Sequence, residues 1–521
     1  MKLLLFLLAL GVARAYDCPY CQPEQVHIAF GEKPNDIVLT WTTFNDTQGS
    51  YATFGKGQLQ AQVSGYSTLF RDGGKQRREL YIHRVTLPGL DYDTTYDDTH
   101  GVSQLQAQVS GYSTLFRDGG KQRRELYIHR VTLPGLDYDT IRYDTHGVSQ
   151  LQAQVSGYST LFRDGGKQRR ELYIHRVTLP GLDYDTTYVY NVGSDFGMSE
   201  RFSFHVPPKG NDIKVRAAIY GDMGNKNAHS LSYLQEEAER GSFDLILHVG
   251  DFAYDMHDDD ARVGDQFMRQ LQPVASLLPY MTCVGNHEAA YNFSNYRARF
   301  SMPGGTESMF YSFDLGPVHF VSISTEYYYF LQWGARMLFE QFTWLQQDLA
   351  KANEPNNRAE RPWIVLMGHR PMYCSNSDDI DCSFEYTRRG IPFIGLSLEP
   401  LLKQYGVDVA VWAHEHSYER SWPLYDGKVY NGSLEHPYTN PGAPVHLVSG
   451  SAGCQEGRDR FHHNPYSWSA FQSQDYGYTR FAAHNRTHLY MEQVSADLKG
   501  QVIDSFWLVK TKLSFNMPSI L

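Results

Sequence analysis

Two patterns of apolar and polar positions divide the chain. In the first part, Gln25–Phe30, Asp36–Thr43 and Tyr51–Gly55 are short runs rich in β-branched and aromatic residues, separated by turn formers. Such runs predict strands. Tyr81–Leu87 is strand-like and is punctuated by Pro88-Gly89. Thr187–Val192 and Arg201–Val206 add two more, before Val206-Pro207-Pro208-Lys209-Gly210, which reads as a linker. Short strands at this spacing predict an all-β sandwich of immunoglobulin or fibronectin-III type. From Asp212 the pattern changes. Strand-like runs now alternate with the helix-period runs Ala228–Arg240, Gln266–Leu278 and Met337–Ala350. That alternation predicts an α/β domain with central sheets flanked by helices. His488–Val494 and Gln501–Val509 flank a turn and predict a closing antiparallel hairpin.

A repeat interrupts the sandwich. Gln58–Thr94 recurs letter for letter as Gln104–Thr140 and Gln150–Thr186, with a period of 46 residues. Arrays of real repeats have atypical caps and units that stack on one another. Here each copy holds only part of a sandwich, and only the third leads into Tyr188-Val189-Tyr190-Asn191-Val192. One copy suffices to join the early strands to the late ones. Two are surplus, through a recent duplication or an error of sequence assembly, and are expected to lie outside the sandwich as hairpins. The run Arg71–Arg78 looks basic, but Glu79, Asp91 and Asp93 nearly balance it, so it reads as a solvated turn.

Composition narrows the partners. The 521 residues carry 47 basic and 58 acidic side chains, a formal charge of −11. That balance argues against nucleic acid, whose phosphates need a basic surface. Met1-Lys2, an apolar run from Leu3 to Val12 and Ala13-Arg14-Ala15 form the three regions of a secretory signal peptide. The run is too short to span a bilayer, and no later stretch reaches that length. The expected organisation is therefore a signal peptide over 1–15, a sandwich with the triplicated segment over 16–207, and a catalytic domain over 208–521. A secreted or lysosomal destination follows. In that oxidising route some of Cys18, Cys21, Cys283, Cys374, Cys382 and Cys454 should pair. Cys374 and Cys382 are spaced to close a short loop. Cys18-Pro-Tyr-Cys21 has redox or zinc spacing but reads as a small structural loop, or as one half of pairings elsewhere. Asn45, Asn292, Asn431 and Asn485 each begin a glycosylation sequon.

The chemistry lies in five strand-like runs that end in polar residues. Val215–Tyr220 ends in Gly221-Asp222-Met223-Gly224, and Asp244–Val249 in Gly250-Asp251-Phe252-Ala253-Tyr254. Tyr280–Val284 ends in Gly285-Asn286-His287-Glu288, Trp363–Met367 in Gly368-His369, and Val407–Trp412 in Ala413-His414-Glu415-His416. Ligands bind beyond the carboxyl ends of strands in an open α/β sheet, so the five ends are expected to converge. Carboxylates, imidazoles, an amide oxygen and a phenol suit iron, zinc or manganese. A carboxylate shared by two ions holds them as a clamp for displacement at phosphorus. On an extended backbone, His414 and His416 would face the same way and meet one cluster. Each motif alone is common; the ordered set of five is not.

This set resembles the purple acid phosphatases of the metallophosphoesterase superfamily, whose pattern is G-D-x-G, G-D-x-x-Y, G-N-H-[DE], V-x-x-H and G-H-x-H. It looks closest to the animal iron/zinc purple acid phosphatase-like proteins, and spans Asp212 to about Val509 with a sandwich before it. By motif, the resemblance implies that Asp222, Asp251, Tyr254 and His416 hold Fe(III). It implies that Asp251, Asn286, His369 and His414 hold a divalent ion (zinc favoured over iron or manganese), with Asp251 bridging. His287 would contact phosphate and assist the leaving group. Two departures, Leu366-Met367-Gly368-His369 for V-x-x-H and Ala413 for the glycine of G-H-x-H, change no ligand. Where several relatives carry further histidines, this chain has Asp378 and Asp379, which should disfavour highly anionic substrates. The implied activity is acid hydrolysis of phosphate monoesters, on small phosphorylated substrates or phosphoproteins, by a hydroxide on the metals. The rivals are a phosphodiesterase or nucleotide hydrolase on the same site, and a catalytically silent secreted binding protein. The family includes monomers and homodimers.

Overall fold

A computed structural model describes residues 18–47, 49–57, 172–377 and 380–511, together with the backbone of short strands between 61 and 163. The expected signal peptide and the pair Asp378 and Asp379 lie outside the described residues.

The N-terminal part is built from β1 (Glu24–Phe30), β2 (Ile37–Thr43), β3 (Ser50–Lys56), β4 (Ala61–Arg71), β5 (Leu172–Leu179), β6 (Thr186–Ser194) and β7 (Phe202–Val206). One layer pairs β1, β2 and β5, all antiparallel; the other pairs β7, β6, β3 and β4. Strand β4 joins them. Its first half pairs with β3 and its second half with β5. Between the layers lie Val26, Ile28, Leu39, Trp41, Val177 and Tyr190, all buried. Trp41 stacks on His175 at 5.1 Å.

The repeat is used in an uneven way. The first copy supplies β4 and the third supplies β5, which runs beside β2 in unbroken register from Tyr173 to Leu179. The second copy contributes Gly111–Phe116 and Leu126–Val131, a hairpin paired with nothing else among the described residues. The first copy's own Glu79–His83 meets β5 only at Tyr173 and Ile174. The layers thus draw β4 from one front half and β5 from one back half of the 46-residue unit, while Gln152–Ala153 and Leu161–Arg163 of the third copy lie parallel beside β4.

The catalytic part holds two mixed sheets. Its strands are β8 (Val215–Tyr220), β9 (Leu245–Val249), β10 (Tyr280–Cys283), β11 (Tyr311–Leu315), β12 (Val318–Ser322), β13 (Trp363–Met367) and β14 (Val409–Trp412). They continue with β15 (Tyr418–Ser421), β16 (Val445–Ser449), β17 (Ser469–Ser473), β18 (Gly477–Ala483), β19 (His488–Ser495) and β20 (Gln501–Val509). One sheet has the order β10-β9-β8-β18-β19-β20, the other β11-β12-β13-β14-β16-β15-β17. The five polar-ended strands therefore do not share a single open sheet. Three lie in the first sheet and two in the second.

Period-two burial explains the layering. Val215, Ala217 and Ile219 on β8, Leu245 and Leu247 on β9, and Val365, Val409 and Val411 form one cluster between the sheets. The alternate residues Ala218, Tyr220, Ile246, Ile364, Leu366 and Trp412 belong to the cluster that packs against helices. Those helices include α1 (Leu231–Glu239), α2 (Asp258–Ala275), α3 (Ala290–Arg299) and α4 (Leu331–Ala352). Burying each large aliphatic side chain contributes about 1.5–3 kcal/mol. The sandwich is bonded to this body. His27 Nε2 meets the Arg299 carbonyl at 2.9 Å, Arg299 donates to Gln25 Oε1 at 3.0 Å, and Tyr190 donates to the Ser276 carbonyl at 2.8 Å.

Deleting residues 58–149 removes β4 but leaves one complete copy, in which Ala153–Arg163 repeats the β4 sequence letter for letter and can take its place between the layers. The shortened protein should melt within about 4 °C of the full chain by calorimetry. A much larger fall would show that the extra copies belong to the sandwich core.

Candidate metal centre

Each expected site residue stands on a turn leaving a strand. Asp222 follows β8, Asp251 and Tyr254 follow β9, Asn286 and His287 follow β10, His369 follows β13, and His414 and His416 follow β14. The two sheets bring all of these loops together. Asp222, Asp251, Tyr254 and His414 have φ of 57, 52, 55 and 74°. Such left-handed conformations are costly outside glycine and cluster at functional sites. Glycines make room for the turns. A Cβ on Gly250 would lie 2.5 Å from His369 Nδ1, and one on Gly285 would lie 2.1 Å from Asp251 Oδ1.

The residues divide into two touching groups. In one, the Tyr254 hydroxyl lies 3.2 Å from Asp222 Oδ1 and 2.6 Å from His416 Nε2. In the other, His369 Nε2 is 3.2 Å from Asp251 Oδ2 and 3.0 Å from Asn286 Oδ1. Donor atoms of Asp251, His369 and His414 all lie within 4.8 Å of one another, a spacing that can hold a metal ion. The His414 amide ties the groups together by donating to Asp222 Oδ2 at 2.9 Å. A second trio, Cys374, Cys382 and Glu415, has similar spacing, but its sulfurs are joined in a disulfide and offer no thiolate.

The backbone at the two histidines differs from expectation. It is not extended: His414 is left-handed, and the Glu415 and Ser417 amides donate to the carbonyls two residues back. The imidazoles consequently serve different groups. His414 faces Asp251 and His369, while His416 faces Asp222 and Tyr254.

Burial sets the electrostatics. Asp222, Asp251 and His369 are almost wholly shielded from water. Burial raises the Asp222 carboxyl, with His416 pulling against it. Burial also acts to raise Asp251, but the charges of His369 and His287 outweigh it and hold Asp251 well below the carboxylate range. Burial disfavours charge on His369, yet Asp251 overrides it and pushes the imidazole up to about 9. His414 goes the other way: burial takes it down to about 3 against the hydrogen bond to Asp381. His287 lies at the mouth, its Nδ1 3.2 Å from Asp255 and its ring 4.4 Å from that of Tyr254. Burial works against its charge, but Asp251 and Asp255 lift it to about 10.

Several residues that matter here were not assigned by sequence reasoning. Glu288 is the foremost. Its Oε2 accepts from the amides of Asp251 and Gly285 at 3.0 Å each, and its Oε1 from Phe252 at 3.1 Å. One carboxylate thereby fixes the turns after β9 and β10 against each other. The acid at the end of G-N-H-[DE] was the available signal. Arg370 and Asp381, both reaching His414 Nε2, carried no signal beyond adjacency to His369 and Cys382.

Replacing Glu288 with Ala strands three amides at about 1–3 kcal/mol each. Elemental analysis should find most of the bound metal lost at temperatures where circular dichroism still reports a folded chain. Full metal retention would show that Glu288 does not organise the turns.

Comparison with known proteins agrees with this architecture. Residues 215–418 match the calcineurin-like phosphoesterase family model, and 443–505 match that of the iron/zinc purple acid phosphatase-like protein C-terminal region. Residues 23–97 and 139–206 match the purple acid phosphatase N-terminal domain, passing over part of the triplicated segment. The chain is 53% identical over 501 residues to acid phosphatase type 7 of Danio rerio, covering 94% of this chain and 92% of that protein. It is 43% identical over 512 residues to acid phosphatase type 7 of Homo sapiens, covering 97% and 95%. Among solved structures, the purple acid phosphatase PPD1 from yellow lupin seeds shares the fold, with a TM-score of 0.64 at 22% identity over 94% of this chain and 74% of that one. The chain belongs to the purple acid phosphatase family.

Proposed function

We propose that this chain is a secreted acid phosphatase that hydrolyses phosphate monoesters at a binuclear metal centre. The observation that carries the reading is the division of one buried cluster into two donor groups, Asp222–Tyr254–His416 and Asp251–His369–Asn286 with His414 beside them. The donor chemistry fits the ions that the family name implies. A phenol, carboxylates and an imidazole suit Fe(III), while an amide, two imidazoles and a carboxylate suit zinc or another divalent ion. Asp222, Asp251, Tyr254 and His416 would hold the first, and Asp251, Asn286, His369 and His414 the second. When bound, the two cations neutralise phosphate charge and acidify water to supply a hydroxide nucleophile.

The chain's own groups do the rest. His287 holds a proton at the mouth, where it can be donated to the departing alkoxide. Asp255 fixes the orientation of that imidazole through Nδ1 and sustains its charge. With Asp251 engaged as a ligand, Asp255 would remain a partner of His287 through Nδ1. Glu288 keeps Asp251 and His287 in register by holding the turns on which both stand. Against burial, Asp251 and Asp255 lift His287 to about 10, so this donor is protonated throughout the acidic range in which an acid phosphatase works.

The secretory route is supported by the signal-peptide pattern of the first 15 residues and by the disulfides Cys18–Cys21 and Cys374–Cys382. Asn45 and Asn431 are the exposed sequons and the favoured glycosylation sites; Asn292 and Asn485 are half-buried. The paired layers before residue 207 are read as a fibronectin-III-like sandwich.

The Asp251→Asn variant should lose activity on an aryl phosphate by several orders of magnitude and most of its metal. Retention of full activity would overturn the two-metal assignment. The intact protein should show a visible tyrosinate-to-iron band, and Tyr254→Phe should abolish it. A band that survives that change would remove Tyr254 from the iron. Faster turnover of a bis-aryl diester than of the monoester would favour the phosphodiesterase alternative.

A further inference from the structure

Arg370 is built into the wall of the site. Its Nε meets Glu326 Oε2 at 3.0 Å, and Glu326 is fully buried. Its amide donates to Thr325 Oγ1 at 2.8 Å, and its guanidinium lies 4.4 Å over the Tyr329 ring. The other end of the fork faces the metal donors, with Nη1 2.9 Å from Nε2 of His414. Asp381 Oδ2 approaches the same nitrogen at 2.7 Å and Arg370 Nη1 at 3.3 Å. Asp381 is anchored there through its neighbour in the chain. It neighbours Cys382, whose disulfide to Cys374 closes the loop, and Cys374 lies 3.6 Å from Glu415 between the two histidines.

His414 Nε2 can serve only one of the two at a time: protonated it donates to Asp381, and unprotonated it accepts from Arg370. A cation held on the other ring nitrogen would keep the proton on Nε2 and pair it with Asp381, leaving the Arg370 N–H to face the anion that shares the site. The charge count of this wall is then one guanidinium against two carboxylates, Glu326 and Asp381. Across the mouth, Glu456 adds a half-exposed carboxylate 3.7 Å from His287 Nε2. Such a wall accepts a phosphoryl group, whose charge the cations meet, but repels negative charge carried on the rest of the ester.

We infer that Arg370 and Asp381 form a charge selector beside His414. Arg370 receives an oxygen of the phosphoryl group, and Asp381 turns away esters whose alcohol portion is anionic. The favoured substrates are monoesters of neutral or cationic alcohols. This inference rests on the phosphatase reading above.

Phosphoethanolamine and 2-phosphoglycolate are similar in size and differ in whether the alcohol carries an ammonium or a carboxylate. The metal-replete protein should prefer the first in kcat/KM. Asp381→Asn should narrow that ratio by about fivefold or more, as should added salt, with metal content by elemental analysis unchanged. Arg370→Gln should weaken the binding of inorganic phosphate, measured by calorimetry, by about tenfold, and Arg370→Lys should restore part of it. An unchanged ratio in Asp381→Asn, or loss of metal in that variant, overturns the selector. If the metal-replete wild type turns over no phosphate ester at all, the phosphatase reading fails instead. The phosphate titration still reads the role of Arg370 in that case.

Discussion

The structure depends on one constraint: charges removed from water must meet opposite charges or hydrogen-bond donors at fixed positions. Asp222, Asp251, Glu288, Glu326 and His369 are all essentially inaccessible to solvent. Each would be strongly destabilising alone. Together they alternate in sign, so that His369 answers Asp251, His416 answers Asp222, Arg370 answers Glu326, and Glu288 receives three amides. A network of this kind fixes geometry, because no member can move without leaving a partner unmet. That rigidity is what a metal centre needs from its protein: donors held in place before the ion arrives.

The carrier of this network is a pair of sheets whose strands end at the same place. Their shared core is apolar and close-packed, so the turns at their ends have little freedom to drift apart. Among the described residues, the sandwich contributes no donor to the centre. It packs on the end of α3 at Arg299 through His27 and Gln25, and on the end of α2 at Ser276 through Tyr190, and so braces the helix side of the first sheet. The triplicated segment disturbs only this brace. Since β4 and β5 come from the first and third copies, the layers close as though the intervening sequence were an insertion.

Much of this was legible in the chain. Val215–Tyr220 and Trp363–Met367 coincide with the expected strands from end to end, because buried apolar strands bounded by glycine or polar turns have few alternatives, and Gln501–Val509 does so through the alternating burial of Asp504, Phe506 and Leu508. The donor residues were legible for the same reason: each follows such a strand. Strand β15, Tyr-Glu-Arg-Ser, was not. Its Glu419 and Arg420 are buried, but Ser375 caps the first and Asp504 takes the second through contacts of 2.7 and 2.8 Å. The partners lie 44 and 84 residues away, so no local pattern marks those charges as interior. Arg370 and Asp381 escaped notice likewise, since their meaning depends on His414 and Glu326, which only the fold brings near. The division of the five strands between two sheets was hidden too: a strand run states its burial but not its neighbour.

The alanine at position 413 shows how a departure from the family pattern is absorbed. Ala413 is fully buried in the cluster between the sheets. A Cβ placed on Gly221 would lie 2.4 Å from the Ala413 methyl and 3.0 Å from the Val249 carbonyl oxygen. The space a methyl needs at 413 is thus the space glycine leaves at 221, on the turn that carries Asp222. Ala413 also holds the backbone register of its own turn, its amide donating to the His369 carbonyl at 2.9 Å. Three donor-bearing turns therefore meet at this contact, those of Asp222, His369 and His414. Close packing there is sensitive to a single carbon. The Gly-to-Ala change is accommodated because the opposing residue, Gly221, is itself glycine, and a side chain at 221 would also crowd the Val249 carbonyl.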